Sequence, residues 1–354
     1  MKQKTVLLWA CALSALCSAV VLLACNFQFV PVTASDLERA VWASSSISWS
    51  LNPSLPSNNV FSAANTVANE SALQGALASA FNTWSSATYN SSTMNTLAFS
   101  QGADNSNSTV NLADCVNSIG FTVTLATGVI AQTTNMYQFS TSAGFNYSCT
   151  SAPTTRNCPY KACISDADVE FNTSYNFSTY SGAPSGQFDL QSVATHEIGH
   201  MIGLDHSGIA HAVMFPYGDT NQIGSSHALW IDDEIGSASL YPNNAILPYL
   251  GEIKGAVSVG GANAFAVHVV AVDAASGNAI TDTLTDPSGN YTLQVVEGNY
   301  YVVAVPLGTA TSGSGANGTT TLMNYPGFAC GYASNYSACT GYPTNPTDFT
   351  GTYY

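Results

Sequence analysis

Apolar residues recur at helical spacing in two stretches of the first two thirds of the chain. The stretch that ends in ALASAFNTWSS carries an apolar face made of Leu73, Leu77, Phe81 and Trp84. The stretch DLQSVATHEIGHMIG has the following apolar residues at the same spacing: Leu190, Val193, Ala194, Met201 and Ile202. Asp189 precedes them and is a residue type that caps helix N-termini. The pattern therefore predicts two amphipathic helices, each with one face in a core.

Beyond Tyr241 the pattern changes from helical spacing to short alternating runs. PNNAILPYL is typical of a linker, and four runs follow it: GEIKGAVSV, FAVHVVAVDA, NYTLQVVEG and NYYVVAVPL. ASGN and TDPSGN supply turn residues between them. A chain of 354 residues has room for two domains. We therefore expect a small all-β domain at 244–310 and a Gly/Ser/Thr-rich tail at 311–354.

The chain opens with two lysines and a long apolar run, MKQKTVLLWACALSALCSAVVLLAC, which is typical of a secretory signal. The small residues of VTA fit cleavage before Ser35, so residues 1–34 are predicted to be the signal peptide. A lipid-anchored N-terminus at Cys25 and an uncleaved membrane anchor are the two alternatives. All three place the rest of the chain outside the cytoplasm, and a secreted protein is the expectation.

Charged residues are scarce, and most of them are acidic. The chain has 6 Lys and Arg against 21 Asp and Glu, a formal net charge of −15 at pH 7. Nucleic acid and anionic membrane surfaces attract basic proteins, so this charge balance makes both poor partners, and no nucleic-acid partner is expected.

Six of the nine cysteines lie beyond the leader: Cys115, Cys149, Cys158, Cys163, Cys330 and Cys339. In an exported chain this number indicates disulfides. Proximity favours the pairs 158–163 and 330–339, which leaves 115–149. Buried free thiols are the alternative.

The residues with the clearest chemistry lie in HEIGHMIGLDH, residues 196–206. His196 and His200 are four positions apart, so one face of a helix presents both imidazoles to a single ion. Gly203 tolerates a left-handed turn, which would end the helix and bring back His206 as a third ligand. Three nitrogens leave one position of a tetrahedral zinc open, which is the catalytic arrangement. Glu197 adjoins the first ligand and can take a proton from a water there.

The full pattern, HExxHxxGxxH followed by a methionine, resembles the metzincin signature. Ser207 after the third histidine makes the chain most similar to the matrixin (matrix metalloproteinase) family. Met214, eight residues past His206, is similar to the family's Met-turn, which lies under the metal without binding it. Weaker similarity covers ISWSLNP, ALASAFNTWSS, GVIAQ, ISDADVEFN and WIDDEIGSASLY. The resemblance implies an α+β catalytic domain at 35–243, with a twisted, mostly parallel sheet and three helices.

The same resemblance implies roles for residues around the cleft. Substrate would pair as an extra strand with the GVIAQ edge and contact the backbone of Ala131. Pro216 and Tyr217 would form part of the S1′ wall, although the family usually has one residue between the two. Asp232 and Asp233 would support the zinc-ligand region, with a solvated helix start as the alternative.

The metal content is expected to differ from that of a typical matrixin. No histidine precedes His196, so we expect one catalytic zinc and not the second, structural zinc that matrixins usually carry. Asp166, Asp168 and Glu170 are the candidates for a calcium site, since oxygen ligands suit that ion. A polar strand end is the alternative interpretation of these three residues.

The later runs resemble a transthyretin-like or carboxypeptidase-regulatory-like β-sandwich. The TD-x-x-G-x-Y-x-L run from Thr285 to Leu293, followed by EGNYYVVA, carries that resemblance. Such modules serve as spacers, stability modules or adhesive domains, so contact with a cell wall or a glycan is a hypothesis for this domain. His268 lies in an alternating run and is expected to be packed rather than catalytic.

The sequence thus predicts a secreted zinc endopeptidase that acts on protein or peptide substrates as a monomer. His196, His200 and His206 would bind zinc, and Glu197 would be the general base for water activated by zinc. Two alternatives stay open: a non-catalytic surface or adhesion protein on a metzincin scaffold, and a zinc hydrolase restricted to cell-wall peptides or glycoproteins. The intact Glu197 argues against the scaffold.

Overall fold

The computed structural model describes residues 4–7, 27–33, 36–52, 67–104, 114–121, 125–149, 155–179, 186–216, 227–265, 267–286, 288–305 and 352–353. The α-helices in these residues are α1 (Val67–Ser85), α2 (Leu190–Met201) and α3 (Ile231–Leu240). The strands before α3 are β1 (Lys4–Leu7), β2 (Phe29–Thr33), β3 (Asp36–Arg39), β4 (Val41–Trp42), β5 (Ser46–Leu51), β6 (Thr88–Tyr89), β7 (Ser92–Thr93), β8 (Ala98–Gln101), β9 (Ser118–Gly120), β10 (Ala131–Phe139), β11 (Phe145–Ser148), β12 (Thr155–Cys158), β13 (Ala162–Phe171), β14 (Phe177–Ser178) and β15 (Phe188–Asp189). After α3 come a 3₁₀ turn (Leu247–Tyr249) and the strands β16 (Leu250–Ala256), β17 (Ser258–Val259), β18 (Ala262–Asn263), β19 (His268–Asp273), β20 (Ala279–Leu284), β21 (Asn290–Val296), β22 (Tyr300–Val305) and β23 (Thr352–Tyr353).

A mostly parallel sheet carries the candidate site. Its strands follow the order β1-β10-β13-β9-β5-β8, and β4 also pairs with β13. The pairings among β4, β5, β8, β9 and β13 are parallel, whereas β10 is antiparallel to both β13 and β1. β13 reads ACISDADVEF and is buried along nearly its whole length, because strands cover both of its edges and α2 packs against it. The predicted mostly parallel sheet is confirmed.

Helix α1 packs against α2 through the apolar face that its sequence predicts. The four residues of that face are at most 2% exposed: Leu73, Leu77, Phe81 and Trp84. Trp84 Nε1 donates a hydrogen bond of 2.8 Å to the Thr195 carbonyl of α2. On the sheet side, Phe81 stacks on Trp49 of β5 with ring centroids 4.8 Å apart. These contacts hold the histidine-bearing helix between α1 and the sheet.

Three antiparallel sheets follow the 3₁₀ turn in the described residues. Two are pairs of strands, β16 with β21 and β17 with β18, and the third has the order β20-β19-β22-β23. An apolar cluster connects β19, β21 and β22 and includes Val269, Ala271, Leu293, Val295 and Ala304. The later strands also contact the earlier part of the chain, since Trp230 Nε1 donates to the Ala279 carbonyl at 3.1 Å and Ile209 packs with Val270. The domain limits and the β-sandwich resemblance stay predictions.

Residues 27–33 lie inside the folded protein, although the predicted leader ends at residue 34. Phe27 and Val30 are 1% and 0% exposed in the main core. The Gln28 amide nitrogen donates to the Gly203 carbonyl at 2.9 Å, next to the end of α2. Cleavage after residue 34 would remove this segment, so the predicted end of the leader does not match the edge of the fold. Cys25 and most of the predicted leader lie outside the described residues, whose helices include none long and apolar enough to cross a bilayer.

Two disulfides join predicted pairs, 158–163, which proximity favours, and 115–149, which remained after the proximal pairs were assigned. Cys115–Cys149 connects the segment before β9 to the end of β11, and Cys158–Cys163 connects β12 to β13. Cys330 and Cys339 lie outside the described residues, as does most of the predicted tail.

Phe27→Ala is expected to lower the free energy of unfolding by about 3–5 kcal/mol, the range for a phenylalanine removed from a packed core. Val32→Ala, a smaller truncation at a half-buried position of the same segment, is the matched control and should cost about 1 kcal/mol or less. Urea unfolding followed by tryptophan fluorescence measures both. Equal midpoints for Phe27→Ala and wild type would show that the segment does not contribute to the fold in solution.

Candidate active site

Helix α2 and the turn after it bring three histidines together. The helix begins after Asp189, whose side chain accepts a hydrogen bond from the Ser192 amide as an N-cap. His196 and His200 lie one turn apart on it. The helix ends before Gly203, which has φ of +102°; a Cβ atom there would lie 2.5 Å from the Ala40 carbonyl oxygen. Glycine is therefore required at this bend on two grounds, its backbone conformation and the close approach.

The imidazole nitrogens of His196, His200 and His206 have the spacing of a metal site. One nitrogen from each ring lies within 4.8 Å of the other two, and the described residues contain no other such group of three or more ligands. The Nε2 atoms of His200 and His206 are 3.2 Å apart. Tetrahedral zinc with Zn–N bonds of about 2.0–2.1 Å needs nitrogens about 3.3 Å apart. The donor set and its spacing therefore fit zinc.

Hydrogen bonds to backbone carbonyls orient two of the rings. His196 Nδ1 lies 2.7 Å from the Val213 carbonyl oxygen, and His200 Nδ1 lies 2.9 Å from that of Leu204. A carbonyl only accepts, so each Nδ1 carries the proton and each Nε2 keeps its lone pair for a metal. Burial lowers the pKa of His196 to about 3 and that of His200 to about 4, and it lowers the pKa of His206 well below the usual value. All three rings are thus neutral, as metal ligands must be.

Glu197 is 4% exposed and contacts a residue that the sequence analysis did not identify. Thr133 Oγ1 lies 2.6 Å from Glu197 Oε2 and 2.9 Å from the Glu197 carbonyl oxygen. Burial raises the pKa of the Glu197 carboxyl to about 7, against a lowering effect of the Thr133 hydrogen bonds. A carboxyl with a pKa near neutrality is suited to both accepting and donating a proton. No local sequence signal marked Thr133, because the pairing of β10 with β13 brings it to α2.

The Met-turn is held by one carboxylate of α3. Asp233 accepts hydrogen bonds from the backbone amides of Val213 at 2.8 Å, Met214 at 3.0 Å and Trp230 at 2.9 Å. The Val213 carbonyl in turn orients the His196 ring. Met214 packs so closely on α2 that a Cβ atom at Gly199 would lie 2.1 Å from its sulfur. This geometry agrees with the supporting role expected for the tandem aspartates.

The end of α2 is held by two side chains from distant parts of the chain. Asn135 Nδ2 donates to the His200 carbonyl at 2.7 Å. Gln28 Nε2 donates to the Leu204 carbonyl at 3.0 Å, the same oxygen that accepts from His200 Nδ1. Gln28 also accepts hydrogen bonds from Asn135 and Tyr137. Sequence reasoning missed both residues, because Gln28 lies 172 positions before His200 and no motif surrounds it.

Of the residues predicted to bind substrate, Ala131 and Pro216 are described by the structure and Tyr217 is not. Ala131 begins β10, and Pro216 is half-buried after the Met-turn. Tyr217 lies outside the described residues.

The candidate calcium residues lie on β13 and have another function in the fold. Asp166 accepts from the Cys115 amide at 2.8 Å, and Asp168 accepts from the Ser118 amide at 2.7 Å. With Glu170 they form no group of ligand atoms close enough to hold an ion in the described part of the chain. Calcium at these residues is therefore not supported. The two aspartates hold the segment that enters β9.

A helix with two histidines one turn apart, a third histidine past a glycine bend and a methionine turn beneath them define a metallopeptidase site. The matrixin family model (peptidase M10) matches residues 49–242, more than half of the chain. The chain belongs to the matrixin family, a zinc-dependent peptidase family.

Three relatives illustrate how far the similarity extends. Matrix metalloproteinase-2 of Drosophila melanogaster is 38% identical over 76 residues, 22% of this chain and 10% of that protein. Metalloendoproteinase 4-MMP of Arabidopsis thaliana is 45% identical over 56 residues, 16% of each chain. Karilysin of Tannerella forsythia is 42% identical over 50 residues, 14% of this chain and 11% of that protein. The chain thus spans less than a fifth of the length of each of these relatives.

His206→Ala is expected to weaken Zn²⁺ binding by more than about 100-fold, because it removes one of three ligands, a larger change than loss of an outer hydrogen bond. Equilibrium dialysis with zinc measured by mass spectrometry gives the dissociation constants. His211→Ala, at an exposed position in the following loop, is the control and should bind like wild type. Wild-type affinity in His206→Ala would contradict the assignment of the third ligand.

Proposed function

We propose that this matrixin is a zinc endopeptidase in which His196, His200 and His206 hold the metal and Glu197 is the general base. The observation that carries this proposal is the convergence of three imidazole nitrogens, two from α2 and one from the loop after it, beside the buried Glu197 carboxylate of α2. The family supports peptide or protein substrates and a metallopeptidase activity.

The reaction would be hydrolysis of a peptide bond. Zinc, when bound, polarises the substrate carbonyl and the attacking water. Glu197 accepts a proton from that water as its oxygen bonds to the carbonyl carbon. When the carbon–nitrogen bond breaks, Glu197 gives the proton to the leaving amine. Thr133 fixes the carboxylate for both transfers through its hydroxyl, which lies 2.6 Å from Oε2.

Substrate binding is proposed at the start of β10. The backbone of Ala131 would pair with an extended peptide, and Pro216 with Tyr217 would form part of the S1′ wall. In support, Thr133 of the same strand contacts Glu197, so a peptide along Ala131 would pass close to the general base. Met214 would underlie the metal, held by Asp233.

The whole protein is proposed to act outside the cytoplasm as a secreted monomer, with a lipid anchor at Cys25 or an uncleaved leader as alternatives. The two disulfides support an oxidising compartment. The later strands are proposed, from their resemblance to carboxypeptidase-regulatory-like modules, to contact a cell wall or a glycan. The scaffold alternative is disfavoured by Glu197, whose carboxylate has no structural need to be buried beside three histidines.

Glu197→Gln is expected to lower kcat by about 10²–10⁴-fold, the range for loss of a general base, while one zinc stays bound. A quenched fluorescent peptide library reports cleavage and the S1′ preference, and mass spectrometry reports the metal. Glu252→Gln, at an exposed position on β16, is the matched control and should cleave like wild type. A wild-type protein that holds zinc and cleaves no peptide would favour the scaffold or a substrate restricted to cell walls.

A further inference from the structure

The strands after the linker contact the loop that carries the third histidine. Asp282 lies on β20 and is 1% exposed. Its Oδ2 accepts a hydrogen bond of 2.8 Å from the Gly208 amide, and Ser207 Oγ lies 3.3 Å from its Oδ1. Ser207 and Gly208 directly follow His206. The Asp282 carboxylate of β20 therefore forms hydrogen bonds with the two residues that follow the candidate zinc ligand His206.

The approach of β20 to this loop is close enough to require glycine. A Cβ atom at Gly208 would lie 2.6 Å from Asp282 Oδ2 and 2.7 Å from His268 Nε2. Both distances are shorter than a carbon atom tolerates, and they involve buried groups that have no space to move. The loop after His206 therefore packs directly against β19 and β20 at Gly208.

Asp282 is itself held in place by two partners. His268 of β19 is 1% exposed, and its Nε2 lies 2.5 Å from Asp282 Oδ2. The Asp282 amide donates to Asp232 Oδ1 at 3.3 Å, next to the Asp233 that holds the Met-turn. A buried carboxylate is costly unless hydrogen bonds satisfy it, so these contacts fix its position rather than leave it to several rotamers.

The third histidine needs such support more than the other two. His196 and His200 are carried by a helix packed on both sides, whereas His206 lies in the loop after the Gly203 bend. We infer that Asp282 and His268 are positioning residues for the third zinc ligand, and that β19 and β20 are part of the catalytic unit rather than a separate spacer. This inference rests on the proposed zinc site and concerns how that site is held.

The test compares Zn²⁺ affinity in full-length variants by competition with a chelator. Asp282→Ala should weaken Zn²⁺ binding by about 10- to 100-fold, the usual effect of removing an outer partner of a metal ligand. Asp282→Asn keeps one oxygen acceptor, so its Zn²⁺ affinity should lie between those of Asp282→Ala and wild type. Ser207→Ala removes the other side of the contact and should weaken binding in the same direction.

Asp286→Ala is the matched control. Asp286 is 2% exposed and accepts from the amides of Ser288 and Asn290 within its own turn, with no contact to the histidine loop. The Asp286→Ala variant should have a lower melting temperature but a Zn²⁺ affinity within about twofold of wild type. It therefore separates a general loss of stability from a loss of His206 positioning.

The outcomes are distinguishable from failure of the proposed function. Wild-type protein that binds no zinc would remove the premise, and with it the zinc-peptidase proposal. If wild type binds zinc and Asp282→Ala binds it equally well, the positioning role is overturned while the peptidase proposal stands. If Asp282→Ala does not fold, Asp282→Asn and Ser207→Ala replace it: wild-type Zn²⁺ affinity in both overturns the positioning role, and weaker binding supports it.

Discussion

The bend at Gly203 is the constraint on which the rest of the site depends. It directly follows the end of α2, which lies just after His200, and sends the chain back so that His206 faces the other two rings. The bend needs a positive φ and a backbone that can lie against Ala40, and only glycine meets both requirements. Carbonyl oxygens at the bend also accept hydrogen bonds. The Gly203 oxygen accepts from the backbone amide of Gln28, and the Leu204 oxygen accepts from the side chains of Gln28 and His200. The His200 ring is therefore oriented by the backbone of the bend, and a segment from the start of the chain holds that backbone in place.

Buried aspartates recur at the turns of this structure, and most of their hydrogen-bond donors are backbone amides. Asp166 and Asp168 hold the entry to β9, Asp233 holds the Met-turn, and Asp282 holds the loop after His206. A chain with 6 basic residues against 21 acidic ones has few cations to offer such groups. Backbone N–H donors satisfy a carboxylate at short range without a second buried charge. Each of these aspartates thereby fixes a turn that has no regular secondary structure of its own.

Much of the catalytic fold was predictable because it depends on local periodicity. The apolar face of α1 and the histidine spacing on α2 are helical patterns. Helix geometry alone puts such residues on one face, whatever the helix packs against. The mostly parallel sheet followed from the family resemblance. The 158–163 disulfide followed from proximity along the chain, and 115–149 was the pair that remained. Residues 27–33 lie within the signal peptide predicted at 1–34, which stays a prediction. Their burial depends on contacts with distant residues such as Gly203, which no pattern along the chain displays. Asp166, Asp168 and Glu170 of β13 suggested calcium because oxygen ligands suit that ion. Asp166 and Asp168 instead accept hydrogen bonds from the backbone amides of Cys115 and Ser118.

The sequence by itself determined the candidate chemistry: two imidazoles one helical turn apart, a carboxylate next to the first of them, a glycine where the helix must stop, and a third imidazole within reach. These features lie within eleven consecutive residues, so the local geometry of a helix and a turn relates them. Only the tertiary structure decided what surrounds them. Thr133 reaches Glu197 through strand pairing, Gln28 reaches the end of α2 from far upstream, and Asp282 reaches the His206 loop from far downstream. Such contacts depend on how distant segments pack, and no pattern along the chain encodes which residues will meet.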